Sequence, residues 1–197
     1  MRAVERAGAV PGEKVVIFGA GPIGLMALAA LVWRGVEGVA IVDLSERRID
    51  IARDLGAALA LNAGKGDVWG ALRDMHGTEL WLSAVPTLGF DAYIEASGAP
   101  SVLSEIIPQA KEGARISLVA LHRKPEPIDL LSAMAKEITL AGSMAYPDDY
   151  SQMVRMLSEV DLSPAITHRF PLADYATAID TARDASASGK VLIEPGA

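Results

Sequence analysis

The apolar positions of this 197-residue chain follow two rhythms. In the first, short unalternating apolar runs are separated by longer segments with helical spacing. "KVVIF" (14–18) is rich in β-branched residues and has no polar alternation, which predicts a strand covered on both faces, as in a parallel sheet. "PIGLMALAALVWRG" predicts a helix, with Pro22 in its first turn, Ala and Leu throughout and Gly35 as its stop. "GVAIVDL" predicts a second strand ending at Asp43. "SERRIDIARDLGA" predicts an amphipathic helix with Ser45 as N-cap and Gly56 at its end, and "ALALN" a short third strand. Strand, helix, strand, helix, strand is half of a doubly wound sheet.

The middle of the chain is less regular. "GDVWGALRDMHG" predicts a helix from about Asp67 to Met75, whereas "ELWLSAVPTLG" fits neither period and reads as a packed loop. The rhythm then resumes. "FDAYIEASG" is a strand, "SVLSEIIPQAK" a helix bent or ended near Pro108, and "GARISLVAL" a strand. A proline-rich loop, "HRKPEPID", leads to a helical turn or two in "LLSAMAK" and a sixth strand in "EITLAGSMAY". After Tyr146 the second rhythm begins: helix, extended segment, helix, terminal strand. The expected fold is α/β, a doubly wound parallel six-stranded Rossmann sheet over residues 1–146 with a small C-terminal α+β appendage over 147–197.

Composition narrows the function classes. The chain is 51% hydrophobic and 22% charged, with a formal net charge of −7, so it reads as an ordinary globular protein. It has no basic stripe to grip nucleic acid. There are no cysteines, which excludes disulfides and thiolate metal sites. "MRAVERAGAVPGEK" lacks the basic start and apolar run of a signal peptide. The longest apolar segment, Ile23 to Trp33, is about half a membrane span. The expectation is a cytoplasmic protein with no membrane partner.

The candidate chemistry lies at the exit of the first strand. Gly19, Gly21 and Gly24 form G-x-G-x-x-G. In a dinucleotide site the first glycine turns the chain sharply, the second lets a pyrophosphate approach the backbone, and the third lets helix and strand lie close. The phosphates then sit where free N–H groups and the positive end of the helix dipole favour an anion. The context supports this, because the second strand ends in Asp43, nineteen residues beyond Gly24. A carboxylate there accepts both adenine-ribose hydroxyls and repels a 2′-phosphate, which favours NAD over NADP. The alternative is a glycine turn that only packs. Arg48 lies on the first turn of the next helix, placed to cover the adenine or neutralise Asp43; a plain surface arginine fits equally, with Arg47 as the comparison.

These residues carry a resemblance. "VERAGAVPGEKVVIFGAGPIGLMALAA", "VDLSERRIDIARDLGA", "IEASG" and "KEITLAGSMAY" resemble the zinc-type alcohol and polyol dehydrogenases of the medium-chain family, from about Val4 to Pro195. "KEITLAGSMAYPDDY" with "AITHRF" looks most like the sorbitol, threonine and butanediol branch. The resemblance implies a coenzyme-binding half plus a returning C-terminal segment, with the zinc-bearing catalytic half outside this chain. His76, His122 and His168 match no family zinc ligand, so no metal and no catalytic residue is expected here. By position, the implied NAD contacts are Gly19, Gly21, Pro22, Ile23 and Gly24 for the phosphates, with Asp43 and Arg48 for the adenosine. Ala96, Ser97 and Gly98 follow at the fourth strand exit, Val119 and Ala120 at the fifth, and Ser143 and Ala145 at the sixth. The resemblance further implies hydride transfer from a small alcohol that zinc polarises, and a homodimer through the edge strand near 138–146.

Residues 64–90 depart from the family pattern, and Trp69, Trp81 and Leu82 there are candidates for a surface that the catalytic half would cover. Two other readings fit the residues. One is a stand-alone NAD(H)-binding module. The other is a zinc-free quinone reductase of the same superfamily, against which "GAGPIG" with Asp43 speaks.

Overall fold

The computed structural model describes residues 1–196. In chain order its elements are α1 (Arg2–Ala7), β1 (Val15–Phe18), α2 (Pro22–Trp33), β2 (Ala40–Asp43), α3 (Glu46–Asp54), β3 (Leu59–Asn62), α4 (Val68–His76), β4 (Thr78–Trp81) and β5 (Val85–Leu88). There follow β6 (Ala92–Glu95), α5 (Pro100–Gln109), β7 (Arg115–Leu118), α6 (Leu130–Ala135), β8 (Thr139–Gly142), α7 (Ser151–Glu159), β9 (Ile166–Pro171), α8 (Tyr175–Arg183) and β10 (Lys190–Glu194). Six strands form one sheet in the order β3-β2-β1-β6-β7-β8, and every neighbouring pair is parallel. The expected doubly wound sheet is therefore present, and the chain reverses its direction of travel across the sheet between β1 and β6. In such sheets a ligand crevice opens beyond the strand carboxyl ends at that reversal.

The unalternating strand runs have a direct cause. On β1, Val15 and Ile17 join a core with α1, α2 and α3, while Val16 and Phe18 join a second core with α4 and α5. Successive side chains point to opposite faces, so a strand covered on both faces is apolar at every position. Each fully buried Val, Ile or Leu contributes about 1.5–3 kcal/mol. α2 is apolar all round because it is buried on most sides, from Gly24 to Leu31.

Three features differ from the sequence pattern. The lead-in contains a helix, α1, which buries Ala3, Val4 and Ala7 and closes with Gly8 in the left-handed region at φ 62°. The segment read as a packed loop is an antiparallel hairpin, with Thr78 opposite Leu88 and Trp81 opposite Val85. Its turn holds Leu82 and Ser83 at φ 50° and 58°, and the Ala84 N–H donates to the Trp81 carbonyl at 3.1 Å. Two successive left-handed residues are what a tight hairpin demands, and Asn-Gly is the usual solution. α5 ends at Gln109, one residue past Pro108, as its sequence predicts. The buried Lys136 ammonium donates to the carbonyls of Ile107, Pro108 and Ala110 at 3.3, 2.6 and 3.1 Å, so a cation closes the helix end whose last carbonyls lack partners. Finally, the sixth strand is shorter than its apolar run, spanning Thr139–Gly142 only.

Beyond Tyr146, β9 and β10 pair with each other in parallel, not with the large sheet, and α8 lies against both. Met156 of α7 and Ala165 reach the core around α2 and α3. Arg48 Nε also donates to the Ser188 carbonyl at 2.8 Å, tying the C-terminal segment to α3. Among the described residues no helix is long and apolar enough to cross a membrane.

Candidate dinucleotide site

The glycine turn behaves as its spacing requires. Gly19 has φ 100°, and a Cβ there would lie 2.7 Å from the Ala96 carbonyl carbon and the Ser97 nitrogen. A Cβ on Gly24 would lie 1.8 Å from the Gly19 carbonyl oxygen. These two glycines let the turn press against β6 and let α2 press against the turn. Gly21 differs, because the one atom within 4 Å of its Cβ position is Arg48 Nη1, at 3.8 Å. It is the N-cap of α2, no side chain caps that end, and Pro22 occupies the first turn. Gly21 thus leaves an open face above first-turn amides, the arrangement that accepts an anion.

Asp43 ends β2 facing this turn. Its Oδ2 accepts the Ala20 N–H at 2.6 Å and its Oδ1 accepts the Ser45 N–H at 2.8 Å. The carboxylate therefore braces the glycine turn against the start of α3, a structural task that the sequence pattern did not reveal. Each oxygen keeps acceptor capacity after one such bond. Ser45 caps α3 as expected, its hydroxyl accepting the Arg48 N–H at 3.4 Å. Arg48 is half-buried at the site while Arg47 is exposed, so the two neighbouring arginines are distinguished.

A cavity of about 630 Å³ opens at the reversal between β1 and β6. Gly19, Gly21, Asp43, Arg48, Ala96 and Ser97 lie on its wall. Pro22, Ile23 and Gly24 adjoin it in the first turn of α2. Gly98 (φ 67°) packs against Ala120, its Cβ position lying 3.5 Å from the Ala120 methyl. Val119 and Ala120 donate their N–H groups to the Glu95 carbonyl at 3.0 and 3.1 Å. Ser143 is buried and donates its N–H to the Leu118 carbonyl at 2.8 Å, and Ala145 is exposed at φ 58°. These last five lie off the cavity wall, at the carboxyl ends of β6, β7 and β8.

Sequence reasoning missed three groups. Glu95 is fully buried; its Oε1 accepts the Ser97 N–H at 2.9 Å, the Ser97 hydroxyl at 2.5 Å and the Gly98 N–H at 3.0 Å, while its Oε2 meets His122 Nε2 at 2.7 Å. This one carboxylate fixes the exit of β6 and joins it to the loop after β7. A carboxylate inside the apolar run "DAYIEASG" was the available signal. Ala185 of the C-terminal segment reaches the cavity wall. Trp69 lines the cavity too, its indole N–H donating to Glu105 Oε2 at 2.9 Å. A second hollow of about 620 Å³ lies near Trp33. Its polar groups pair with one another, Trp33 and Arg155 with Glu159 and Arg34 with Gln152, and no strand end or glycine turn faces it. Among the described residues no three His, Cys, Asp or Glu side chains gather as a metal site would need.

Comparison with known proteins agrees with this architecture. A family model described as zinc-binding dehydrogenase matches residues 22–159. An L-threonine 3-dehydrogenase from Saccharopolyspora erythraea is 38% identical over 188 residues, which cover 94% of this chain and 52% of that protein. The 2R,3R-butanediol dehydrogenase from Bacillus subtilis superposes with a TM-score of 0.85 at 25% identity, over 99% of this chain and 54% of its own. A short chain alcohol dehydrogenase from E. coli CFT073, complexed with NADH, superposes with a TM-score of 0.82 at 24% identity, over 96% of this chain and 54% of its own, a likeness of fold. The chain thus spans about half the length of the relatives it matches. With the model matched over more than half of its residues, the chain belongs to the zinc-binding dehydrogenase family.

Proposed function

We propose that this chain is the NAD-binding part of an alcohol or polyol dehydrogenase. The observation that carries the proposal is the meeting, on one cavity, of an open glycine turn at a helix start and a carboxylate at the next strand end. When bound, the coenzyme supplies the hydride acceptor. The amides at the start of α2 hold its pyrophosphate across Gly21. Asp43 accepts the two hydroxyls of the adenine ribose with the lone pairs left by Ala20 and Ser45. A 2′-phosphate would stand against that carboxylate, and like charges in contact are unfavourable. Ala96, Ser97 and Gly98, then Val119 and Ala120, then Ser143 and Ala145 carry the coenzyme toward its nicotinamide end. The Glu95–His122 pair holds two of these strand exits in register.

The residues of this chain do not fit a zinc ion. It has no cysteine, and its three histidines lie apart. Residues 1–146 form the coenzyme domain in this reading, and 147–197 return toward a zinc-bearing part of the whole protein. β8 is the last strand of the sheet, and its exposed Leu140, Met144 and Tyr146 make an apolar edge suited to a second copy. Titration calorimetry with NADH and NADPH tests the coenzyme reading. NADH should bind at least about tenfold more tightly, a difference near 1.4 kcal/mol; equal affinity, or no binding of either, would refute it.

A further inference from the structure

β1 lies between β2 and β6, and both of these neighbours end in a carboxylate. The two carboxylates do different work. Asp43 is half-buried on the cavity wall, and each of its oxygens accepts one N–H and keeps acceptor capacity. Glu95 is fully buried and lies off that wall, with both oxygens used inside the chain. Its Oε1 takes the N–H groups of Ser97 and Gly98 and the Ser97 hydroxyl, so the exit of β6 is gathered on one atom. Its Oε2 faces His122 Nε2 at 2.7 Å, and an acceptor-only carboxylate assigns the ring proton to that nitrogen. Nδ1 of the same ring is buried and meets no partner among the described residues, so Glu95 is the ring's one polar contact there. His122 belongs to the loop that follows β7. The Gly98 Cβ position lies 3.5 Å from both the Ala120 methyl and the Leu121 carbonyl oxygen, so the two exits are already close. A buried ionic pair is a costly way to close a strand end, because apolar replacements of such pairs are often neutral or stabilising. The exit of β8 is closed without a buried carboxylate, by the Ser143 N–H on the Leu118 carbonyl. Closing the fold does not by itself call for the pair.

We propose that Glu95 and His122 are positioning residues for the nicotinamide half of the coenzyme, fixing the spacing of the β6 and β7 exits across which that half lies. The inference rests on the coenzyme reading and deepens it. In that reading Gly21 and Asp43 hold the pyrophosphate and the adenosine, while Ser97, Gly98, Val119 and Ala120 lead to the nicotinamide end. Glu95 and His122 act through those four residues and touch no part of the coenzyme. A binding surface already ordered before its ligand arrives loses less freedom on binding. Without His122 the loop after β7 loses its side-chain tie to the β6 exit. The cost of ordering it then falls on the nicotinamide half and not on the adenosine half, which Asp43 braces separately through Ala20 and Ser45.

The test compares NADH with ADP, which carries adenosine and pyrophosphate but no nicotinamide half. The full chain is titrated by calorimetry and by the emission of the reduced nicotinamide, as wild type, His122→Ala and His122→Gln, at a temperature where circular dichroism shows each chain folded. Wild type should bind NADH more tightly than ADP, and bound NADH should gain emission. His122→Ala should bind NADH about three- to tenfold more weakly and lose most of the emission gain, with its affinity for ADP kept within about twofold. His122→Gln, whose terminal amide donates from much the same place as Nε2, should recover both NADH readouts. Where His122→Ala does not fold, His122→Asn, with an amide one carbon shorter, carries the same expectation; if neither folds, the pair is a requirement of the fold and the inference falls. NADH and ADP weakened alike, wild-type NADH affinity in His122→Ala, or no recovery in His122→Gln would overturn the inference while leaving the coenzyme reading intact. Equal affinity of wild type for NADH and ADP would overturn it too, because this chain would then hold no nicotinamide half. Failure of wild type to bind either ligand would instead defeat the coenzyme reading.

Discussion

Adding one methyl group at Gly21 and, separately, at Gly24 should separate binding from folding. At Gly24 the new Cβ would lie 1.8 Å from the Gly19 carbonyl oxygen and 2.9 Å from its carbon, whereas ordinary contact begins near 3.4 Å. The neighbour is backbone and no rotamer can relieve the overlap, so α2 must lift off the turn by roughly 1.5 Å, an overpacking strain of about 1–3 kcal/mol or more. Alanine regains up to about 1 kcal/mol of helix propensity, which does not offset it. Gly21 has φ −66° and ψ 176°, open to any residue, and nothing but the end of Arg48 nearby. Gly21→Ala should therefore cost at most about 1 kcal/mol of stability, the difference between glycine and alanine at an N-cap. In the proposed coenzyme reading, a methyl group there would nonetheless occupy the face that takes the pyrophosphate. Losing one charge-assisted bond to a main-chain amide costs about 1.5–3 kcal/mol, or roughly 10- to 100-fold in affinity for NADH. Urea unfolding paired with NADH titration of both variants provides the assay. A Gly21→Ala chain that binds NADH like wild type would show that no phosphate passes this glycine. A Gly24→Ala chain as stable as wild type would show that the close approach of α2 is not a constraint.

Three further outcomes follow from other parts of the molecule. Burial pushes the Asp91 carboxyl up, but the Lys111 ammonium at 2.7 Å and the Lys14 N–H at 2.7 Å outweigh it and hold the carboxyl below its usual range. Its stabilisation is therefore present above the unfolded value near pH 4 and lost as pH falls through the folded value, so Asp91→Asn should flatten the acid limb of urea midpoints measured from about pH 6 to pH 3. Replacing Leu82-Ser83 with Asn-Gly should raise stability by about 1–2 kcal/mol, read as a higher thermal midpoint, because two side chains leave the left-handed region and Leu82 is 75% exposed with little packing to lose. Lys136→Met should cost about 1–3 kcal/mol in chemical denaturation, since the carbonyls of Ile107, Pro108 and Ala110 would lose their shared donor in a buried setting; unchanged stability would mean that water replaces the ammonium.

The parts of this molecule legible in its sequence are those whose signals are local. β1 and β2 read directly because strands covered on both faces are apolar at every position, and α2 because Pro22 and Gly35 bracket it. The glycine turn could be placed because Gly24 answers to a contact within its own strand–turn–helix unit and Gly19 to the exit of β6, the strand that pairs with β1. Signals failed where the deciding partner is far away or the chemistry is atypical. The hairpin at 78–88 was hidden because Leu-Ser holds a turn that glycine and asparagine normally hold. α1 has six residues, too few for a periodic pattern, and is fixed by burial on the sheet.

Distance in the chain also explains what was missed at the cavity. Glu95 looked like an interruption in an apolar run, and nothing local tells that a histidine 27 residues later will meet it. Asp43 reads from the sequence as a ribose ligand, yet it also braces the turn through Ala20, so the proposed ribose contact and an observed fold contact fall on one carboxylate. Trp69, grouped by sequence with Trp81 and Leu82 as a surface awaiting cover, instead lines the cavity with its N–H held by Glu105, 36 residues on. In each case the residue type was visible and the partner was not. A charged or aromatic side chain beside an apolar run has several partners within reach of the pattern, and the pairing of β1 with β6 helps to select which one it meets. The site is thus a property of the sheet's reversal as much as of the glycine motif, because its wall gathers residues from the exits of β1, β2 and β6, from the starts of α4 and α5, and from the C-terminal segment.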